Sequence, residues 1–119
     1  MQDVLVVEDD RDAAEITCVI VERLGHACRV AHTGEEAILL ARQRVPDVAV
    51  IDLGLPDADG FEVARCLRAL TPGLALRLVA LSGYSDPRSM RKAVENGFDD
   101  YMVKPLRIER LVRSISTRT

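Results

Sequence analysis

Three short runs in this chain are almost unbroken aliphatic: Val4–Val7, Val48–Leu53 and Leu78–Leu81. A strand with one wet face alternates apolar and polar residues, so runs without alternation must be covered on both faces. Two further apolar runs, Cys28–Ala31 and Tyr101–Val103, are shorter. Amphipathic stretches separate them. Residues 11–24 carry Ala14, Thr17, Val21 and Leu24 at steps of three and four and stop at Gly25, which predicts a helix with a typical terminator. Thr33-Gly34-Glu35-Glu36 predicts a capping box for a second helix running to about Arg44. A third is expected from about Asp59 to Leu70, closed by Pro72 and Gly73, and a fourth from about Pro87 to Gly97. The fifth starts after Pro105, with Ile108, Leu111, Val112 and Ile115 on one face.

The order is strand then helix, five times over. Such alternation with short connections predicts an α/β fold: one doubly wound (βα)5 domain, residues 1–119, with a five-stranded parallel sheet and helices on both faces. At 119 residues the chain fits one domain. Aromatic residues are only 3% of it, so the core must be built from Val, Leu, Ile and Ala. The formal net charge of -3 argues against a direct grip on nucleic acid or an anionic membrane, since both need a basic face. No apolar run is long enough to span a bilayer, and no signal-peptide pattern opens the chain. A cytoplasmic setting is expected. Cys18, Cys28 and Cys66 have no metal-ligand spacing and read as reduced thiols packed as small hydrophobes. His26 and His32 flank the second strand and read as surface histidines.

Ligands of parallel α/β sheets bind beyond the carboxyl ends of the strands. Here those ends carry Glu8-Asp9-Asp10, Asp52, Ser82-Gly83 and Lys104-Pro105. Several carboxylates, one hydroxyl and one ammonium would share a small patch. Carboxylates at close range repel by several kcal/mol at an effective dielectric of about 20. Lys104 offsets part of this, and a divalent ion is the natural second cation. All-oxygen ligands favour Mg²⁺. Other chemistries lack their residues: no Gly-rich phosphate loop follows the first strand, and no Ser or Cys sits in a nucleophile elbow with a His downstream.

In these motifs the chain resembles the CheY-like receiver domains of two-component response regulators, a flavodoxin-like fold. The matching parts are Val6-Val7-Glu8-Asp9-Asp10, Val50-Ile51-Asp52-Leu53 with Leu55-Pro56 and Asp59-Gly60, Ala80-Leu81-Ser82-Gly83, and Gly97-Phe98-Asp99-Asp100-Tyr101 leading to Val103-Lys104-Pro105. The resemblance implies that Asp52 is the phosphoacceptor. It implies that Asp9 binds Mg²⁺ directly, Glu8 through water, and Gly54 through its backbone carbonyl. Ser82 would hydrogen-bond the phosphoryl group, Lys104 would pair with its oxygens, and Tyr101 would be the aromatic that changes rotamer. The Lys104-Pro105 bond would be cis. Ser82 stands where the family more often has Thr, and the hydroxyl is retained. The chemistry agrees: a carboxylate can attack phosphorus, and phosphoryl transfer needs positioning and charge neutralisation more than a base.

The resemblance implies a signalling phosphoacceptor in a phosphorelay rather than a turnover enzyme. Its donor would be a sensor histidine kinase or a histidine phosphotransfer domain. Its output would be a surface of the fourth helix, fifth strand and fifth helix, open to homodimerisation and flanked by Arg88, Arg91, Lys92, Arg107 and Arg110. The chain is expected to be a stand-alone regulator or a receiver excised from a hybrid sensor kinase or larger regulator. The rival reading is a phosphatase-like enzyme using Asp52 and Mg²⁺, which would want a second acid at position 54, where this chain has Gly. A degenerate receiver that only binds partners is disfavoured by the retained Glu8, Asp9, Asp52, Ser82 and Lys104.

Overall fold

The three aliphatic runs form the interior of one parallel sheet. In a computed structural model, which describes residues 1–70 and 76–116, the strands are β1 (Asp3–Val7), β2 (Ala27–Ala31), β3 (Val48–Asp52), β4 (Arg77–Ser82) and β5 (Asp100–Val103). Their order is β2-β1-β3-β4-β5, all parallel. The helices are α1 (Arg11–Arg23), α2 (Gly34–Gln43), α3 (Gly60–Ala69), α4 (Pro87–Glu95) and α5 (Ile108–Ser116). Pro72 and Gly73, expected to close the third helix, lie outside the described residues.

Strand alternation deals successive residues to opposite layers. Leu5, Val7, Ala49, Ile51, Leu78 and Ala80 meet Ala37, Ala41, Val63, Leu67 and Ala93, so α2, α3 and α4 cover one face. Val4, Val6, Val48, Val50, Val79 and Leu81 meet Val21, Leu111 and Ile115, so α1 and α5 cover the other. That double cover is why these runs show no polar alternation.

The helix ends follow the local chemistry. Asp10 caps α1, accepting from the Asp12 and Ala13 amides, and Gly25 leaves it at φ +93°, where a side chain would be strained. Thr33 caps α2 through the Glu36 N–H. The return bond of the expected capping box differs: Glu36 accepts from His32 N–H at 2.7 Å rather than from Thr33. On α5 the buried stripe is Leu111, Ser114 and Ile115. Ile108 was expected on it, but is 56% exposed and instead lines a groove against α1 with Ile16 and Ile20. Cys66 is exposed rather than packed, while Cys18 and Cys28 are half-buried. His26 and His32 are half-buried rather than free on the surface. His26 Nδ1 accepts from Gln2 N–H, and His32 Nδ1 lies 3.1 Å from the Glu8 carbonyl oxygen.

Asp100 at the start of β5 clamps α5 to the sheet. Arg110 donates to both its oxygens at 2.6 and 3.0 Å, and Arg77 lies 3.5 Å away. Burial opposes the Asp100 charge, but the Arg110 hydrogen bonds and charge hold its pKa down at about 2 against an ordinary 3.8. A depressed carboxylate stabilises the fold above its unfolded pKa and stops doing so as pH falls through its folded one. Asp100→Asn should therefore lose about 1 kcal/mol at pH 6, allowing for solvent screening of this partly exposed pair. The gap to wild type should close between about pH 4 and pH 2. Urea midpoints across that range check this, and a gap that persists at pH 2 would contradict it.

Candidate functional site: an acidic cleft at the strand ends

The strand order reverses between β1 and β3, and a doubly wound sheet opens a crevice at such a point. Register fixes what meets there. Val7 pairs with Ile51, so Glu8 emerges beside Asp52. Asp52 pairs with Leu81 and Ser82 with Val103, so the hydroxyl and Lys104 follow on the far side. A cleft of about 570 Å³ is lined by Glu8, Asp9, Asp52, Gly54, Ser82 and Lys104, among others. Six of the seven residues singled out from the sequence thus share one cavity. The seventh, Tyr101, reaches it through an intermediary.

Glu8 and Asp52 are buried, at 4% and 3% exposure, whereas Asp9 is exposed. Carboxylate oxygens of the three lie within 4.8 Å of one another. Lys104 Nζ stands 2.9 Å from Asp52 Oδ2 and 3.6 Å from Glu8 Oε1. Gly54 N–H donates to Asp52 Oδ1 at 2.9 Å. Asp10 also lines the cleft but is engaged as the α1 cap, leaving three acids in the cluster.

One ammonium cannot balance three carboxylates, so burial and mutual repulsion act against the charge of the most crowded acid. Burial, a hydrogen bond with Asp52 and the charge of Asp52 push Glu8 up to about 7. Burial also opposes the charge on Asp52, but hydrogen bonds from Glu8, Lys104 and Gly54 hold it below the ordinary carboxylate range. Burial works against Lys104 too, and its bond to Asp52 outweighs that and raises it. Asp52 is therefore the acid kept ionised, with one oxygen tied to Lys104 and the other to a backbone amide. The all-oxygen donor set, with surplus negative charge, fits a hard divalent cation.

A Cβ at Gly54 would stand 3.4 Å from Asp52 Oδ1, an ordinary contact, and one at Gly83 would meet nothing within 4 Å, so the cleft beside these two glycines is open. Ser82 is buried. Its oxygen accepts from Tyr84 N–H at 3.1 Å, which leaves the hydroxyl proton free to donate. The Tyr84 carbonyl in turn accepts from Tyr101 O–H at 2.6 Å, with the Tyr101 ring buried. Ser82, Tyr84 and Tyr101 are thus joined in one relay. The Lys104-Pro105 peptide is cis, as the resemblance implied.

Sequence reading missed Phe61, Ser89 and Lys92, which also line the cleft. Lys92 had been placed on the outer surface with Arg88 and Arg91. The signal that could have found it is the three-residue step from Ser89, which puts both on one side of α4. Arg110, also expected outside, is committed to Asp100.

The sequence model for the response regulator receiver domain matches residues 4–116. An uncharacterised 14.6 kDa protein of Leptolyngbya boryana is 34% identical over 95% of this chain and 86% of its own length. The transcriptional regulatory protein CreB of Escherichia coli is 38% identical over 86% of this chain, which spans only 44% of that regulator. Among solved structures, a response regulator from Burkholderia pseudomallei with a phosphorylated aspartic acid, calcium ion and citrate superposes with a TM-score of 0.88. It is 30% identical, and the match covers 98% of this chain and 68% of that one. With the match running from β1 to the end of α5, the chain belongs to the family of response regulator receiver domains.

Proposed function

We propose that this receiver takes its phosphoryl group on Asp52, from a histidine on a sensor kinase or phosphotransfer domain, with Mg²⁺ held by Asp9, Asp52 and the Gly54 carbonyl and, through water, by Glu8. The observation that carries this is the placement of Asp52: a buried carboxylate that lines an open cleft, with Lys104 Nζ 2.9 Å from its Oδ2. When bound, the metal supplies charge neutralisation for the transferred group. The protein's own residues do the rest. An Asp52 oxygen attacks phosphorus as the donor histidine's N–P bond breaks and its imidazole leaves, and Lys104 pairs the charge on the phosphoryl oxygens. Ser82 donates its free proton to one of those oxygens. The Burkholderia relative with a phosphorylated aspartic acid and a calcium ion supports the same arrangement here. Incubation with acetyl phosphate and Mg²⁺ followed by intact-mass measurement tests it. A single stable adduct is expected. Continuous turnover would favour the phosphatase reading, and no adduct a degenerate receiver.

The relay through Tyr84 supports a switch. A phosphoryl group that draws Ser82 toward it pulls on Tyr84 and through it on Tyr101, so the signal leaves the cleft toward α4, β5 and α5. A hydrogen bond to a charged group contributes about 1.5–3 kcal/mol, enough to change a population roughly ten- to hundredfold. The outer face there carries exposed Met90, Val94 and Val103 among Arg88, Arg91 and Arg107, and a second copy or an output partner would read it. Beryllofluoride should shift amide signals at Tyr101 and along α4 in NMR spectra. Shifts confined to the Asp52 cleft would refute the switch.

A further inference from the structure

Of the residues lining the acidic cleft, two are cations, Lys104 and Lys92. Lys104 is already committed to Asp52 and Glu8. Lys92 is not: among the described residues no carboxylate lies within ion-pair distance of it, and its ammonium sits 4.7 Å above the centre of the Phe61 ring. The ring is a fixed seat. Phe61 packs edge-on against Phe98, with centroids 6.1 Å apart and planes at 79°, and Phe98 is buried. Helical spacing points Lys92 and Ser89 into the cleft, while Met90 and Val94 are exposed.

This arrangement answers a problem the acids create. A phosphodonor or phosphoryl group brings about two negative charges to a cavity that already holds a cluster of carboxylates. A cation at the mouth would attract it, and an exposed cation–π contact is weak enough to be given up for a dianion. We propose that Lys92 is a second phosphate-binding cation of this cleft, seated on Phe61 until a phosphoryl group reaches Asp52, and that it ties the charge of that group to α4. Lys92 forms no covalent bond in the transfer and stays protonated. The O–P bond forms at Asp52 as the donor's bond to phosphorus breaks. The tie would run from the phosphoryl oxygens directly into α4, alongside the relay through Ser82, Tyr84 and Tyr101.

The inference rests on Asp52 being the acceptor, and the experiment separates the two. Wild type, Lys92→Ala and Lys92→Arg are labelled with acetyl phosphate and Mg²⁺ over a range of ionic strengths. Lys92→Ala should still label fully, but with a second-order rate about three- to tenfold lower at low salt and a flatter salt dependence. Arg should restore both. Beryllofluoride should shift the Ala93 and Val94 amides less in the Ala variant than in wild type or the Arg variant, a readout independent of turnover. Absence of label on wild type would overturn the acceptor reading and this inference together. A wild type that labels, beside an Ala variant of equal rate and salt slope or an Arg variant as impaired as Ala, would overturn this inference alone.

Discussion

Replacing Asp52 by Asn should leave a folded protein that gains no phosphoryl mass. Asn has the same shape, and its side-chain oxygen can still accept the Gly54 N–H that Asp52 Oδ1 accepts at 2.9 Å. The lost charge does not strand Lys104, because Glu8 lies 3.6 Å from it. Burial still opposes a charge on Glu8, but with Asp52 neutral the repulsion that adds to it is gone, so Glu8 ionises more readily and can take over the ammonium. What cannot be replaced is the nucleophile, because an amide nitrogen with its lone pair delocalised does not attack phosphorus. Removing a nucleophile costs at least about 1,000-fold in rate in systems where it has been measured. Intact-mass measurement after acetyl phosphate and Mg²⁺ reads the result, with circular dichroism to show that the fold is retained. Full labelling of the variant would move the acceptor elsewhere, and Asp9 would be the next acid to test.

Withdrawing Mg²⁺ with EDTA should stop labelling of the wild type and also lower its stability. Both follow from three carboxylates within 4.8 Å and a single ammonium against them. Without the divalent charge, the incoming dianion meets unscreened repulsion, and the acids repel one another. Asp9→Ala removes one of the three and should raise the stability of the metal-free protein by about 1 kcal/mol, the scale of one exposed charge pair at this separation. The same variant should lose most of the stabilisation that Mg²⁺ gives the wild type. Urea unfolding with and without Mg²⁺ measures both quantities. If Asp9→Ala is the less stable protein in EDTA, crowding of the acids is not what the metal relieves.

Most of the layout was legible because burial on both faces of a parallel strand leaves a plain trace. Val4–Val7, Val48–Leu53 and Leu78–Leu81 could be wet on neither side, and they became the three inner strands. The outer strands were harder. Ala27–Ala31 is only partly buried along most of its length and carries Arg29, whose guanidinium bonds Asp3 and the carbonyls of Leu40 and Arg44. Ile108 was placed by helical periodicity, which says which residues share a face and not what that face meets, and the output surface implied by the resemblance said nothing of the cleft that Lys92 also lines or of the bond between Arg110 and Asp100.

The sequence by itself determined the order of elements, the capping residues Asp10, Thr33 and Asp59, and the identity of the groups carried at the strand ends. Those depend on neighbours within a few positions, and local chemistry decides them. Tertiary structure decided which groups meet. Parallel register set Glu8 beside Asp52 and Lys104 across from both. Only that proximity settles which acid keeps its proton, since charge interaction falls with distance in space and is indifferent to distance along the chain. The same holds for Lys92 over Phe61, 31 positions apart in sequence and joined because α3 and α4 cover the same face of the sheet.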